Sequence, residues 1–283
     1  MKRILFSLIA ALSLAVSGAA NASGDDFLLD KAPDLSNDKV ALQNGAKLFV
    51  NYCLNCHAAA SMRYNRLKDI GLSEEQIKTG LLFSADKVGE TMKVSMQAKD
   101  AKEWFGAVPP DLSVIARAKA GKQGSGADYL YTYLRTYYRD DSRPTGWDNL
   151  AYKGSAMPHV LWPLQPTRVL EVSAKEHVKN KDGKMEWEQV NTTYDTSGAA
   201  TIVKTKLDNF AGHASTEHKF INTDVPAQQA FDRDVGDLVA FMQYMSDPSA
   251  NARKSLGVWV LIFLGVFIFF AYLLNKQYWK DIK

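Results

Sequence analysis

The 283-residue sequence predicts a mainly α-helical protein with a small β insert and one transmembrane helix near its C-terminus. Three observations support this fold class. Apolar residues recur with helical spacing in two long segments, a polar segment at residues 169–221 alternates as strands do, and residues 256–274 carry no charge. The formal net charge is only +3 and the basic residues form no stripe, so no nucleic-acid surface is indicated.

The N-terminus has the layout of a secretory signal peptide. Lys2 and Arg3 precede an apolar run that ends near Val16, and small residues follow up to Ala22. A basic segment, an apolar segment and an A-x-A site are typical of such a peptide, so we expect cleavage after Ala22 and export of the body. A membrane anchor is the alternative, but the run is shorter than the ~20 residues that a span needs. We therefore assign residues 1–22 to the signal peptide.

Four segments between the ends predict helices, at residues 39–52, 74–82, 128–138 and 226–245. The first and the last are the clearest, because their apolar side chains fall on one helical face. Gly45 lies inside the first of them. A glycine inside a helix costs about 1 kcal/mol relative to alanine, so we expect another helix to approach closely at this position.

Residues 169–221 differ in character from the rest of the body. Polar runs with alternating apolar residues surround the turn-forming pairs Asp182-Gly183 and Ser197-Gly198. We therefore predict an inserted β-hairpin or small sheet. The sequence does not indicate what this insert does.

Residues 256–274 predict a membrane anchor. At 1.5 Å per residue, this uncharged stretch comes close to the ~30 Å thickness of the hydrocarbon core. A buried core helix is the alternative, but such a helix is rarely apolar all round over this length. Lys276 and Lys280 follow the stretch. With an exported body, we expect residues 23–250 to face the periplasm of a bacterial inner membrane and the basic tail, residues 275–283, to be cytoplasmic.

The two cysteines of the chain lie in the motif Cys53-x-x-Cys56-His57. A zinc half-site would need two more ligands, and His213 and His218 lie in a polar segment far from the motif. A thioredoxin-like dithiol would follow a strand, whereas a predicted helix precedes this pair. A structural disulfide suits an exported protein but does not account for the histidine. These three interpretations are therefore weaker than a fourth.

The fourth interpretation is covalent attachment of one haem c, for which C-x-x-C-H in an exported protein is the signature. Each thiol would bind one vinyl group of the porphyrin, and His57 would be the proximal axial ligand of the iron. A haem in an electron carrier usually has a sixth ligand, and methionine in that place raises the reduction potential.

Met157 is the favoured sixth ligand. Pro158 holds it extended, and the small residues before it leave room for a flat ring. His159 is the rival ligand, and a buried loop methionine with a packing role is the alternative interpretation. Met242 and Met245 lie on the apolar stripe of the last helix, where core packing is the expected role.

The chain resembles the cytochrome c1 family at this point. The C-x-x-C-H motif at residues 53–57 alone is shared by all c-type cytochromes, but further motifs of that family follow it in order. They are SMRYNRL at residues 61–67, PPDLS at 109–113, DYL at 128–130, AMP at 156–158, the late helix and the terminal anchor.

The resemblance implies a class I cytochrome c core with insertions, and it assigns the site. Cys53 and Cys56 would hold the haem, His57 and Met157 would be its axial ligands, Pro109 and Pro110 would line the cleft, and Tyr129 would lie near the macrocycle. The family usually pairs a basic residue with a haem propionate through charge-assisted hydrogen bonds. Arg117 and Lys119 are both candidates for this role. Some members hold the region near the haem with a disulfide, so in this chain packing must hold the Met157 loop.

The resemblance also implies a function. The chain would be the electron-transfer subunit of ubiquinol–cytochrome c reductase, the bc1 complex, with no bond chemistry of its own. It would take an electron from the Rieske iron–sulfur protein and pass it to a cytochrome c, in a dimeric complex with cytochrome b. The alternatives are a membrane-anchored cytochrome c that serves a terminal oxidase and a haem enzyme with an open sixth site. Asp140 and Asp141 could mark a docking surface, but a solvated mixed-charge loop is the simpler interpretation.

Overall fold

The computed structural model describes residues 27–179 and 183–281, and the predicted signal peptide lies outside these residues. The described residues form seven α-helices and eight strands. The helices are α1 (Lys39–Leu48), α2 (Glu74–Gly80), α3 (Ala98–Phe105), α4 (Ile115–Ala118), α5 (Gly126–Arg135), α6 (Val225–Ser246) and α7 (Ala250–Tyr278). The strands are β1 (Ala59–Arg63), β2 (Thr91–Met92), β3 (Tyr137–Arg139), β4 (Trp147–Asn149), β5 (Arg168–Lys179), β6 (Met185–Tyr194), β7 (Ala200–Leu207) and β8 (Ser215–Asn222).

The main core lies where α1 crosses α6. Asp38 caps α1, since its carboxylate accepts hydrogen bonds from the backbone N–H groups of the first turn. A Cβ atom on Gly45 would lie 2.1 Å from the backbone oxygen of Asp237, so only glycine permits this approach. The predicted close contact at Gly45 is therefore confirmed. Asn44 donates hydrogen bonds to Asp234 and Asp237, each at 2.9 Å, and fixes the crossing from the side.

The four predicted helices are present, with shifted ends. The segment at 74–82 forms α2, and the segment at 226–245 forms α6. The segment at 128–138 forms α5, which begins earlier because Ser125 and Asp128 make a capping box, and ends earlier because Tyr137 starts β3. The short helices α3 and α4 were not predicted. The four residues of α4 are too few to show an apolar period.

The predicted β insert is a four-stranded antiparallel sheet in the order β7-β6-β5-β8. It covers Arg168 to Asn222 and includes a twelve-residue strand, β5. Threonine, valine and isoleucine are frequent in these strands, and their branched side chains suit a pleated surface. Strand structure was thus predicted correctly, but the sheet is too extensive for the mainly α description to be confirmed.

A buried arginine joins this sheet to the helical body. Arg168, at the start of β5, donates hydrogen bonds from Nη2 to the backbone oxygens of Arg135 (2.5 Å) and Tyr137 (2.7 Å). Its guanidinium lies 3.7 Å from the ring centroid of Phe220. A second small core surrounds this junction and consists of Tyr138, Leu150 and Leu170, packed by Phe27, Val172, Tyr194 and Phe220.

The predicted membrane anchor lies within α7. Among the described residues, α7 is the one helix long and apolar enough to cross a membrane, with a mean hydropathy of 2.6 in its most apolar window and none of that window buried. Its start is fastened to the body. Asn251 donates hydrogen bonds to Ser36 and Asn37, and Arg253 pairs with Asp247 at 2.5 Å.

Candidate functional site

The end of α1 presents the C-x-x-C-H motif in one tight turn. The helix widens into a π-helical turn, Phe49–Cys53, in which the N–H of Leu54 donates to the oxygen of Phe49 at 3.0 Å. Such widened turns are frequent at functional sites. The N–H groups of Cys56 and His57 both donate to the oxygen of Cys53, at 3.1 and 2.8 Å. All three motif side chains therefore start from the same turn.

The two thiols are free and neutral. Cys53 and Cys56 form no disulfide with each other. Burial, and then the neighbouring Cys56, raises the pKa of Cys53 to about 12, and burial also raises the pKa of Cys56. Within residues 27–179 and 183–281, no three His, Cys, Asp or Glu side chains are grouped as metal ligands. The zinc and disulfide interpretations therefore gain no support.

One hydrogen bond orients the imidazole of His57. Its Nδ1 lies 2.7 Å from the backbone oxygen of Pro110. A carbonyl oxygen only accepts, so Nδ1 carries the proton and Nε2 is left as the nitrogen that can bind a metal. Burial lowers the pKa of His57, against the opposing effects of Pro110 and Asp111, and this favours the neutral ring. Pro110 thus holds the proposed ligand in the tautomer that ligation requires.

The PPDLS segment is fastened to the chain just after the motif. The N–H of Leu112 donates to the oxygen of Ala58, and the carboxylate of Asp111 accepts from the N–H of Ala60, each at 2.8 Å. Because these bonds fix the backbone on both sides, the oxygen of Pro110 is held beside His57.

A cleft of about 350 Å³ opens beside the motif. This volume falls in the range of about 300–1,000 Å³ that is typical of cofactor sites. The cleft brings together most of the residues that the sequence singled out, which are Cys53, Cys56, His57, Pro109, Pro110, Lys119, Tyr129 and Met157.

Most of the remaining walls are apolar, and the sequence did not predict their part in the site. They include Tyr52, Phe105, Val108, Leu130, Tyr133 and Val160. The sequence could have indicated Tyr133, because it lies one helical turn after Tyr129 and so shares its face of α5. The two rings are stacked, with centroids 6.0 Å apart.

The lining of the cleft distinguishes between the candidate axial ligands. Of the methionines in the described part of the chain, only Met157 and Met242 line it, and Met242 is buried in the core on α6 as predicted. His159 does not line the cleft. Its ring is 2% exposed and stacks on Tyr137, and burial lowers its pKa to about 3. The rival ligand is thus a core residue, and Met157 is the methionine that a loop presents to the cleft.

The structure also separates the two candidate basic residues. Lys119 lines the cleft, and its Nζ lies 4.9 Å from the ring centroid of Tyr129. Arg117 instead lines a different depression, which includes Asp247 near the start of α7. Between these two, Lys119 is the cation available to a carboxylate in the cleft.

The residues of the cleft fit a haem c. This group requires two free thiols separated by two residues, an imidazole with Nε2 available and a thioether on a separate loop, and the cleft offers all of them. The walls are mostly apolar, which suits the porphyrin face, and Lys119 offers a charge for a propionate. No chemically mismatched group, such as a carboxylate, lies among the described residues of the lining.

Comparison with known proteins agrees with this assignment. A family model described as the Cytochrome C1 family matches residues 31–184 and 218–282. Over 282 residues, all of both chains, the protein is 42% identical to the ammonia monooxygenase gamma subunit of Nitrosomonas europaea. It is 35% identical over 276 residues to cytochrome c1 of Allochromatium vinosum, covering 97% of this chain and 98% of the relative. It is 28% identical over 316 residues to cytochrome c1 of Rhodospirillum rubrum, covering 100% and 98%.

Proposed function

The chain belongs to the cytochrome c1 family, and we propose that Cys53 and Cys56 attach its haem c while His57 and Met157 are the axial ligands of the iron. The observation that supports this assignment best is the convergence of all four side chains on one apolar cleft. The four come from two segments about a hundred residues apart in sequence, so their meeting is a property of the fold.

Membership of the family gives the chain its function. It is the electron-transfer subunit of the cytochrome bc1 complex. This subunit takes electrons from the Rieske iron–sulfur protein and delivers them to a cytochrome c. When bound, haem c supplies the one-electron iron centre for this transfer. The protein's own residues hold that group and set its surroundings.

The residues of the proposed haem site have different tasks. Cys53 and Cys56 provide the covalent tether, and Pro110 keeps His57 in the tautomer whose Nε2 can bind iron. The apolar walls exclude water, which favours the less charged state of a buried redox centre. Lys119 is the residue we assign to a propionate, in place of Arg117, which does not line the cleft.

The chain is a membrane-anchored subunit that assembles with cytochrome b and the Rieske protein. We further propose that residues 23–250 form a periplasmic domain, that residues 256–274 span the membrane once, and that residues 275–283 are cytoplasmic. The length of α7 and its exposed apolar surface support the span. We also propose a dimeric complex and a soluble or membrane-bound cytochrome c as acceptor.

Met157→Leu tests the sixth ligand. We expect the variant to retain covalent haem but to lose the far-red thioether–iron band of the oxidised spectrum, because leucine has no sulfur. Met242→Leu is the matched control, since Met242 also lines the cleft but is buried in the core. Retention of the band in Met157→Leu, or its loss in Met242→Leu alone, would overturn the assignment of Met157.

Purification from native membranes tests the assembly. We expect the haem protein to co-isolate with a b-type cytochrome and a Rieske protein. Co-isolation with a terminal oxidase would favour the alternative of an anchored electron donor. Co-isolation with ammonia monooxygenase subunits would instead mean that this chain is a subunit of that enzyme, as the name of the Nitrosomonas europaea relative says of the relative.

A further inference from the structure

The loop that carries Met157 lies against the β3–β4 hairpin and is hydrogen-bonded to it before the methionine and at the methionine itself. The N–H of Gly154 donates to the carboxylate of Asp148 on β4 at 2.7 Å. The hydroxyl of Tyr137 on β3 donates to the backbone oxygen of Met157 at 3.0 Å. The hairpin therefore contacts the loop at its start and at the methionine itself.

The hydroxyl of Tyr137 is the last member of a chain of hydroxyl groups. Ser155 Oγ lies 2.8 Å from Tyr133 Oη, which lies 2.6 Å from Tyr137 Oη. Because the oxygen of Met157 can only accept, Tyr137 donates to it, Tyr133 can donate to Tyr137, and Ser155 can donate to Tyr133. Hydrogen bonds that run in one direction strengthen one another in a buried setting. Ser155 Oγ also lies 3.4 Å from the Met157 oxygen and 3.4 Å from Tyr137 Oη. The three hydroxyls thus form one network at this carbonyl, in which Tyr137 makes the shorter contact with the oxygen, at 3.0 Å.

The ring of Tyr137 holds the same loop a second time. It stacks on the imidazole of His159, with centroids 4.7 Å apart and planes 12° apart. The same imidazole makes an edge-to-face contact with Trp147, and their ring centroids are also 4.7 Å apart. Since His159 follows Met157 by two residues and is buried, this stack fixes the chain just beyond the methionine.

We propose that Tyr137 is a positioning residue for the thioether of Met157, which it holds in the cleft through its hydroxyl on the Met157 carbonyl and its ring on His159. This inference rests on the proposed ligation of the iron by Met157. The chain has no cysteine besides Cys53 and Cys56, so no disulfide can fasten this loop. Hydrogen bonds and stacking from the β3–β4 hairpin replace such a link.

The test uses the purified, membrane-anchored holoprotein and Tyr137→Phe, which removes the hydroxyl but keeps the ring. We expect haem attachment to be normal and the far-red band to persist. Imidazole should displace the thioether at about 2- to 10-fold lower concentration, the effect of one lost hydrogen bond. The reduction potential should fall once imidazole competes, because Met/His ligation raises it.

Tyr138→Phe is the matched control. Tyr138 is the next residue on β3 and is also buried, but its ring packs 4.9 Å from Tyr194 in the second small core. It should leave the imidazole titration unchanged even if the protein becomes less stable. Ser155→Ala, which removes the first hydroxyl of the chain, should shift the titration in the same direction as Tyr137→Phe but less.

The outcomes separate the inference from its premise. A wild-type protein without the far-red band would refute ligation by methionine, and with it both proposals. A wild-type protein with the band, together with equal imidazole titrations for wild type, Tyr137→Phe and Ser155→Ala, would refute the positioning role alone. If Tyr137→Phe does not fold, Tyr133→Phe decides, because it removes the donor to Tyr137 and leaves the direct contacts of the Met157 carbonyl in place; an unchanged titration in Tyr133→Phe would then refute the positioning role. An equal shift in Tyr138→Phe would show a general loss of stability and would also overturn the inference.

Discussion

Asp128 shows how one buried carboxylate holds the N-terminal segment on the body. Its oxygens accept hydrogen bonds from the N–H groups of Ala32 (2.9 Å) and Ser125 (3.0 Å) and from Nζ of Lys31 (3.1 Å). Burial alone would raise the pKa of Asp128, but these bonds outweigh it and hold the pKa at about 2. The charged form is thus the one that the folded state stabilises.

The stability contributed by Asp128 should depend on pH. An unfolded aspartate has a pKa of about 3.9, so the lowered folded value contributes about 2–3 kcal/mol above that pH. This contribution is lost as pH falls from about 4 through about 2. We expect Asp128→Asn to lower the free energy of unfolding by that amount at pH 7 and to approach wild type near pH 2, as measured by chemical denaturation in detergent. Asp86→Asn, at an exposed site, is the control, and a pH-independent effect of Asp128→Asn would contradict this account.

The residues of the proposed haem site differ in how far the sequence predicts them. Cys53, Cys56 and His57 follow from local spacing, because a covalent tether and its ligand need to lie on one turn. Met157 could be favoured from its proline and small neighbours, yet Met242 also lines the cleft, and only packing tells the two apart. The backbone oxygen of Pro110 was beyond prediction as a hydrogen-bond partner, because a carbonyl leaves no trace in side-chain identity.

At the scale of elements, the crossing of α1 and α6 positions the haem motif. The contact depends on Gly45, where the backbone of α6 approaches to a distance that no side chain allows. The last turn of α1 leads directly into the π-helical turn that ends at Cys53. Any displacement of α1 on α6 therefore moves Cys53, one of the two residues proposed to attach the haem.

Gly45→Ala should be strongly destabilising. The added Cβ would lie 2.1 Å from the oxygen of Asp237 and 2.7 Å from the Cβ of Phe241, so one helix must move. Overpacking of this kind costs about 1–3 kcal/mol and sometimes more. Gly80→Ala is the control, because no atom lies within 4 Å of its added Cβ. We expect it to raise the free energy of unfolding by about 0.5–1 kcal/mol. Thermal unfolding of the holoproteins measures both, and equal midpoints would contradict the role of Gly45.

Apart from the short helix α2, the elements that the sequence predicted are those with a sustained period. The long helices α1, α5 and α6 and the strands β5 to β8 repeat their pattern over enough residues to be recognised. The hairpin β3–β4 has three residues in each strand, so its pairing depends on tertiary contacts that no local pattern records. That short hairpin is hydrogen-bonded to the Met157 loop, so the element least visible in the sequence contacts the loop that carries the proposed sixth ligand.

At the scale of the whole molecule, the sheet and the haem cleft are separate. The family match skips residues 185–217, which contain β6, β7 and the start of β8. Within the described part of the chain, no residue of the cleft lining lies between Arg168 and Asn222. The long strands therefore enlarge a domain whose proposed haem site is built mainly from the turn after α1, the segment around Pro110, α5 and the Met157 loop.

Removing strands β6 and β7, with the end of β5, should leave the proposed haem site intact. Lys175 on β5 pairs with Ser215 on β8, so a two-residue Asn-Gly turn in place of residues 177–213 can join these strands directly. We expect covalent haem and an unchanged far-red band, as measured by haem staining and absorption spectra. The thermal midpoint should fall, because Tyr194 is lost from the small core around Tyr138. Tyr194→Ala in the full chain should reproduce most of that fall, whereas loss of the band in the shortened protein would mean that the insert supports the cleft.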